Sequence, residues 1–267
     1  SICVHNTARK ASRIVLVLYL RGTRACRELS GLRLASVGQS SNYRRNCVTA
    51  ASVERKRLGL SLPPFHKTLD SYLGTQSPGC LGAGGGLEHM DSCVCAWPRM
   101  DFRPEKEYRK FLTLIAHEFF HVWNVKRIRP EILLEYDYSS PAYSRLLWVF
   151  EGWTTYYDEI ICCRAGTSGP KELLSALAEH AQTEASRPGG TVQSLQDSSF
   201  DAWVKLYRAN PDTQNTQTNY YLKGLLVGWL LDLHLRSESG GAKSLDDVML
   251  HLWREVYPAG RGLPEGG

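Results

Sequence analysis

The run His117-Glu118-Phe119-Phe120-His121, set in an apolar, helix-forming stretch, constrains this chain more than any other feature. Two histidines at i and i+4 lie on one face of an α-helix about one turn apart, so both imidazoles can reach a single Zn²⁺. The glutamate between them points beside the metal rather than at it, which is the place for a general base acting on water. A helix with two ordinary histidines is the alternative reading.

The chain has 267 residues, enough for one sizeable domain or a domain with an appendage. No run approaches the roughly 18 apolar residues of a membrane-spanning helix. The net charge of +5 is unevenly spread. Residues 1–60 carry 12 Lys/Arg against Glu28 and Glu54, or +10, and the remainder carries 20 basic and 25 acidic residues, or −5. We therefore expect 1–60 to be a separate basic segment, disordered or non-native, and 61–267 to be the domain that carries the chemistry. A transit segment has the composition of that basic end and a nucleic-acid arm shares it, but a nucleic-acid partner is not expected. The eight cysteines include no C-x-x-C pair, so neither a disulfide framework nor a cysteine metal site is expected. Scattered thiols fit a reducing, cytoplasmic setting, with an organelle as the alternative.

From Ser61 to Pro98 the pattern is irregular and rich in Gly and Pro, with short strands. The cluster Gly82 to Gly86 has no Lys-Ser/Thr after it, so it reads as a loop or a place of close backbone approach rather than a phosphate loop. Pro104 suits a first helical turn and Glu105 and Glu107 suit the positive end of a helix dipole, opening a helix that runs from Tyr108 to Trp123. Further helices are predicted over 143–164, 171–186, 220–235 and 245–257, with Gly166 as a stop. The fold class is α+β: a small strand-containing region, then mostly helix after residue 100.

A catalytic zinc site needs a third protein ligand and an open position. Glu151 is the one acid in Trp148-Val149-Phe150-Glu151-Gly152-Trp153, and a buried acid is rare unless paired or metal-bound. An ion pair with a nearby arginine is the alternative. Asp158, two helical turns on, either accepts the outer N–H of a ligating histidine or is simply solvated.

With its continuation Val122-Trp123-Asn124-Val125-Lys126-Arg127-Ile128-Arg129-Pro130, the His117–His121 motif resembles the glycyl aminopeptidase family of zinc metallopeptidases. Gly85-Gly86-Leu87-Glu88-His89, the stretch Trp148 to Tyr157, Tyr220-Tyr221-Leu222-Lys223-Gly224 and Lys243-Ser244-Leu245-Asp246-Asp247 extend the resemblance over roughly residues 80 to 264. So does the 29-residue gap between His121 and Glu151. The resemblance implies a thermolysin-like domain, cut short at its C-terminal end, in which Glu151 joins His117 and His121 on one Zn²⁺ per chain. It implies that Glu88 binds the free α-ammonium of a peptide substrate, while Gly84, Gly85 and Gly86 let the peptide backbone approach. It gives Tyr221 the oxyanion-binding hydroxyl, with Tyr220 as the neighbouring alternative, and leaves Glu118 as the base. The expected activity is removal of a small first residue, Gly or Ala. A thermolysin-like endopeptidase and a non-catalytic peptide-binding protein are the competing expectations.

Overall fold

The computed structural model of the chain describes residues 13–19, 70–74, 85–90 and 92–266, and over these the protein is α+β, strands first and helices after. Two compact units divide it: Ser1–Val122 with Ile161–Ser168, and Trp123–Ile160 with Gly169–Gly267. No described helix is long and apolar enough to cross a membrane.

The first unit holds an antiparallel sheet of β1 (Arg13–Tyr19), β2 (Asp70–Gly74), β3 (Gly85–Glu88) and β4 (Ser92–Pro98), in the order β2-β1-β4-β3. The basic segment 1–60 thus contributes the backbone of β1, and its other residues lie outside the described residues. The register Gly86↔Cys95 and Glu88↔Cys93 makes β3 a regular strand at one end of the sheet. Residues 82–84 of the glycine cluster lie outside the described residues.

Helix α1 (Glu105–Phe120) opens after Pro104, whose carbonyl accepts from the Tyr108 N–H at 2.9 Å. Proline fits that position because its missing N–H would have no helical partner. The buried face of α1 meets the sheet through Phe111 and Ile115, packed with Cys93 and Cys95 and flanked by Trp97, Phe102, Tyr108 and Leu114. Phe111 lies 4.7 Å from Phe102 and 5.7 Å from Trp97, ring centre to ring centre. Each such ring stabilises the fold by about 1.5–3 kcal/mol through area removed from water.

The helix ends at Phe120, earlier than the periodicity predicts, and His121 caps it. The reason lies in the next turn, which belongs to the second unit. The Trp123 carbonyl accepts from the Val125, Arg127 and Ile128 N–H groups at 3.2, 3.3 and 2.8 Å. This curls the chain so tightly that Val125 sits at φ 128°, a strained value for a β-branched residue.

The second unit is built on a π-helical turn, Trp148–Gly152, leading into α2 (Trp153–Arg164, whose residues from Ile161 on are counted with the first unit), then α3 (Pro170–Ala185), α4 (Leu195–Phe200), α5 (Thr213–Thr216), α6 (Tyr220–Glu238) and α7 (Leu245–His251). Helices over 171–186 and 220–235 are found close to their predicted bounds. The helix predicted over 143–164 begins only at the π turn, and α4 and α5 have no counterpart among the predicted helices. Asp232 ties three elements: Oδ2 accepts from the Tyr156 hydroxyl at 2.8 Å and from Arg236 at 2.9 Å, and Oδ1 accepts from the Leu245 N–H at 2.7 Å. Residues 262–265 dock back on the turn after Trp123, with Leu263 hydrogen-bonded to Arg129 and Glu131 at 2.7 and 2.9 Å.

Candidate active site

The first unit gathers His117, Glu118, His121 and Glu88. The two histidines share a face of α1, their ring centres 4.7 Å apart and edge to face. His121 is buried, His117 half-buried, and Glu118 between them is 5% exposed. One carboxylate oxygen from Glu88, one from Glu118 and one ring nitrogen of His121 lie within 4.8 Å of one another. Two carboxylates that close, one of them buried, repel each other unless a cation stands with them, so the cluster suits a metal ion or an ammonium group. Imidazoles on one helix face with carboxylates beside them are donors that fit a divalent metal.

Strand β3 supplies a wall. A β-carbon on Gly86 would overlap Oε1, Cδ and Cγ of Glu118, whereas the corresponding space at Gly85 is open. Glu118 therefore packs directly on the backbone of β3, and Glu88 closes the same strand, half-buried.

The second unit holds Glu151 and Tyr221. Glu151 is half-buried in the π turn, not in regular α-helix. That turn crosses the start of α6 backbone to backbone: a β-carbon on Gly152 would lie 2.5 Å from the Gly224 Cα, and one on Gly224 would lie 2.5 Å from the Trp148 carbonyl oxygen. With no side chain between them, the two elements bring Glu151 and Tyr221 close enough to interact. Burial chiefly, and then the negative charge of Glu151, hold the Tyr221 hydroxyl well above the ordinary phenol range, so it is a neutral donor. Asn219 caps α6, accepting from the Tyr221 and Leu222 N–H groups at 2.9 and 3.3 Å. Tyr220, 1% exposed, stacks on Tyr221 with ring centres 4.5 Å apart. The Tyr207 hydroxyl meets both, at 3.1 Å from Tyr220 and 2.8 Å from Tyr221. Asp158 is buried on α2, and its charge is felt by His180.

Sequence reasoning missed three contributors in this unit. The Asn124 side-chain amide donates to the Val149 and Phe150 carbonyls, both at 3.2 Å, and to the Thr154 hydroxyl at 3.1 Å, pinning the turn that carries Glu151. The Gly152–Gly224 crossing had a usable signal, since each glycine interrupts an otherwise apolar helical run. Tyr207 had none.

Comparison with known proteins agrees with this architecture. Residues 110–227 match the family model described as M61 glycyl aminopeptidase. A solved structure of an aminopeptidase N family protein from Idiomarina loihiensis is 34% identical, with a TM-score of 0.66. The alignment covers 68% of this chain but 32% of that one, so the chain spans about a third of the length of the solved protein. No curated protein matches. The family match starts inside the helix that carries His117 and runs past the Gly152–Gly224 crossing. Over residues 110–227 this chain is thus similar to the M61 glycyl aminopeptidase family.

Proposed function

We propose that the protein is a zinc-dependent aminopeptidase with a thermolysin-like catalytic domain, in which His117, His121 and Glu151 hold the metal. The observation that carries this reading is the position of Glu88 beside Glu118 and His121, at the end of a strand whose Gly85 face is open. An endopeptidase has no use for a carboxylate there, whereas an aminopeptidase needs one to pair with the substrate α-ammonium. Asn124 holds the turn that carries the proposed third ligand, Glu151, through its bonds to the Val149 and Phe150 carbonyls.

Bound zinc would supply Lewis acidity to the scissile carbonyl and to the attacking water. Glu118, buried and braced against β3, takes the proton of that water and later hands it to the leaving amine. Glu88 anchors the ammonium and so fixes cleavage after the first residue. Tyr221 donates its hydroxyl to the oxyanion that develops at the carbonyl, a role suited to a neutral phenol held at a capped helix start. The preference for glycine or alanine as first residue rests on the family resemblance.

Metal analysis after dialysis against a weak chelator, alongside assays of a Gly-initiated peptide and its N-acetylated twin, tests the reading. One zinc per chain, lost in His117→Ala, and cleavage of the free-amine peptide alone are expected. Equal cleavage of both peptides would make the protein an endopeptidase, and a chain without metal would overturn the assignment.

A further inference from the structure

Within the second unit, residues 262–265 reach the stretch that leads into Glu151. Gly262 is buried, and a β-carbon there would lie 2.5 Å from the Glu131 Cα. Leu263 then pairs by backbone with Arg129 and Glu131 at 2.7 and 2.9 Å. These contacts fix where the Glu265 carboxylate stands. Its Oε1 accepts from the buried Ser144 hydroxyl at 2.8 Å, 121 positions away, and its Oε2 accepts from the Arg145 N–H at 2.6 Å. Ser144 Oγ in turn accepts from the Leu146 N–H at 3.1 Å. The first N–H groups of a helical stretch have no partner within it, so a carboxylate and a hydroxyl placed on them hold its starting point.

From that start the hydrogen bonds run directly into the π turn. The Leu146 carbonyl accepts from the Val149 and Phe150 N–H groups at 2.9 and 3.2 Å, and the Trp148 N–H donates to Ser199 Oγ at 3.0 Å. A π turn carries about one residue more than an α turn, and one residue of helix is a rotation of about 100°. The extra residue persists only while both ends of the turn are held. If the start slips into α geometry, Glu151 swings away from the direction it faces. Asn124 and the Gly152–Gly224 crossing hold the later part of the turn, and the Glu265 carboxylate holds its beginning. Building on the aminopeptidase reading, in which Glu151 is the third metal ligand, we propose that Glu265 is a positioning residue of the metal site: it caps the stretch at Ser144 and Arg145 and so fixes the aim of Glu151. The role is one of geometry rather than charge, because both groups it binds are neutral donors.

The test uses the full chain and two metals. A chromophoric chelator competes for zinc, and cobalt put in its place gives visible bands that report the ligand set and its geometry. Melting temperature is recorded for every variant. Glu265→Ala should weaken zinc binding about tenfold and shift the cobalt bands in the same direction as Glu151→Ala. Glu265→Gln should stay close to wild type, since an amide can accept from the Arg145 N–H while donating to the Ser144 hydroxyl. Asp247→Ala, which removes a capping carboxylate from the start of α7 in the same unit, should lower the melting temperature and leave both metal readouts alone. A Glu265→Ala protein that melts lower yet binds both metals like wild type, while Glu151→Ala binds them weakly, overturns the proposal and leaves the metal site standing. So does a Glu265→Gln protein as weak as Glu265→Ala, which would make charge responsible. A zinc loss in Asp247→Ala as large as that in Glu265→Ala overturns it too, by reducing the effect to general destabilisation. Wild-type metal binding in Glu151→Ala removes Glu151 as a ligand, and this proposal with it. An unaltered chain that takes up no zinc overturns the peptidase reading itself and this proposal together.

Discussion

Gly86 and the carboxylate of Glu118 occupy one volume: the space that a side chain on residue 86 would need is filled by Oε1, Cδ and Cγ of Glu118. Glu118 lies on the buried side of α1 and Gly86 pairs with Cys95 in the sheet, so neither can retreat without moving a packed element. The contact sets where the Glu118 carboxylate, the proposed base, stands relative to the strand that ends in Glu88.

Gly86→Ala should therefore displace Glu118 while leaving His117 and His121 untouched. A loss of about a hundredfold in kcat is expected from a base moved by an ångström, with metal content unchanged. Steady-state kinetics together with metal analysis checks this; full activity would remove Gly86 as a determinant of the base's position.

The two carboxylates should separate in kinetics. Glu118→Gln is expected to retain metal and lose about a thousandfold or more in turnover, the scale of general acid–base catalysis. Glu88→Ala should act mainly through KM for peptides with a free amine. Metal lost in step with activity in Glu118→Gln would make that residue structural, and unchanged kinetics in Glu88→Ala would take it out of the site.

Asn124→Ala removes the amide that spans the Val149 and Phe150 carbonyls and the Thr154 hydroxyl. If the π turn presents Glu151 to the metal, its loosening should weaken zinc binding about ten- to a hundredfold, as loss of an outer support does elsewhere. Competition with a chromophoric chelator measures this. Wild-type affinity in the variant would show that Glu151 needs no such brace.

Stability should fall in acid through Asp232. Burial raises its carboxyl, but the bonds from Arg236, the Leu245 N–H and the Tyr156 hydroxyl outweigh this and hold it below 3.8. A folded-state value lower than the unfolded one stabilises the protein above the ordinary carboxylate range and is lost as pH falls through the folded value. Asp232→Asn should cost about 1–2 kcal/mol at neutral pH, and its gap to wild type should narrow below pH 3.8. Thermal melts across pH check this, and a gap that stays constant into acid would mean that charge at this position is irrelevant.

Much of the first unit could be read directly from residues. The i, i+4 histidines with Glu118 between them, and the proline and acids that start α1, act through neighbours in the chain, and local pattern reports local geometry. The end of α1 could not be read, because the apolar run continues to Trp123 while the Trp123 carbonyl gathers three N–H groups and breaks the helix. Glu151 was identifiable as an anomalous acid, yet the π turn that holds it depends on Asn124, 25 residues upstream of Val149.

The sequence by itself determined the helix that carries His117 and His121, the order of strands before helices, and the chemical types available to a site: two imidazoles, three carboxylates and a pair of tyrosines. Only the tertiary structure decided how those groups are aimed. Gly86 makes room for Glu118 by lacking a side chain, Gly152 and Gly224 let two backbones touch, and Tyr207 reaches Tyr221 across 14 positions of chain. Such contacts join residues far apart in sequence through small or unremarkable side chains, so no periodicity or spacing announces them before the chain has packed.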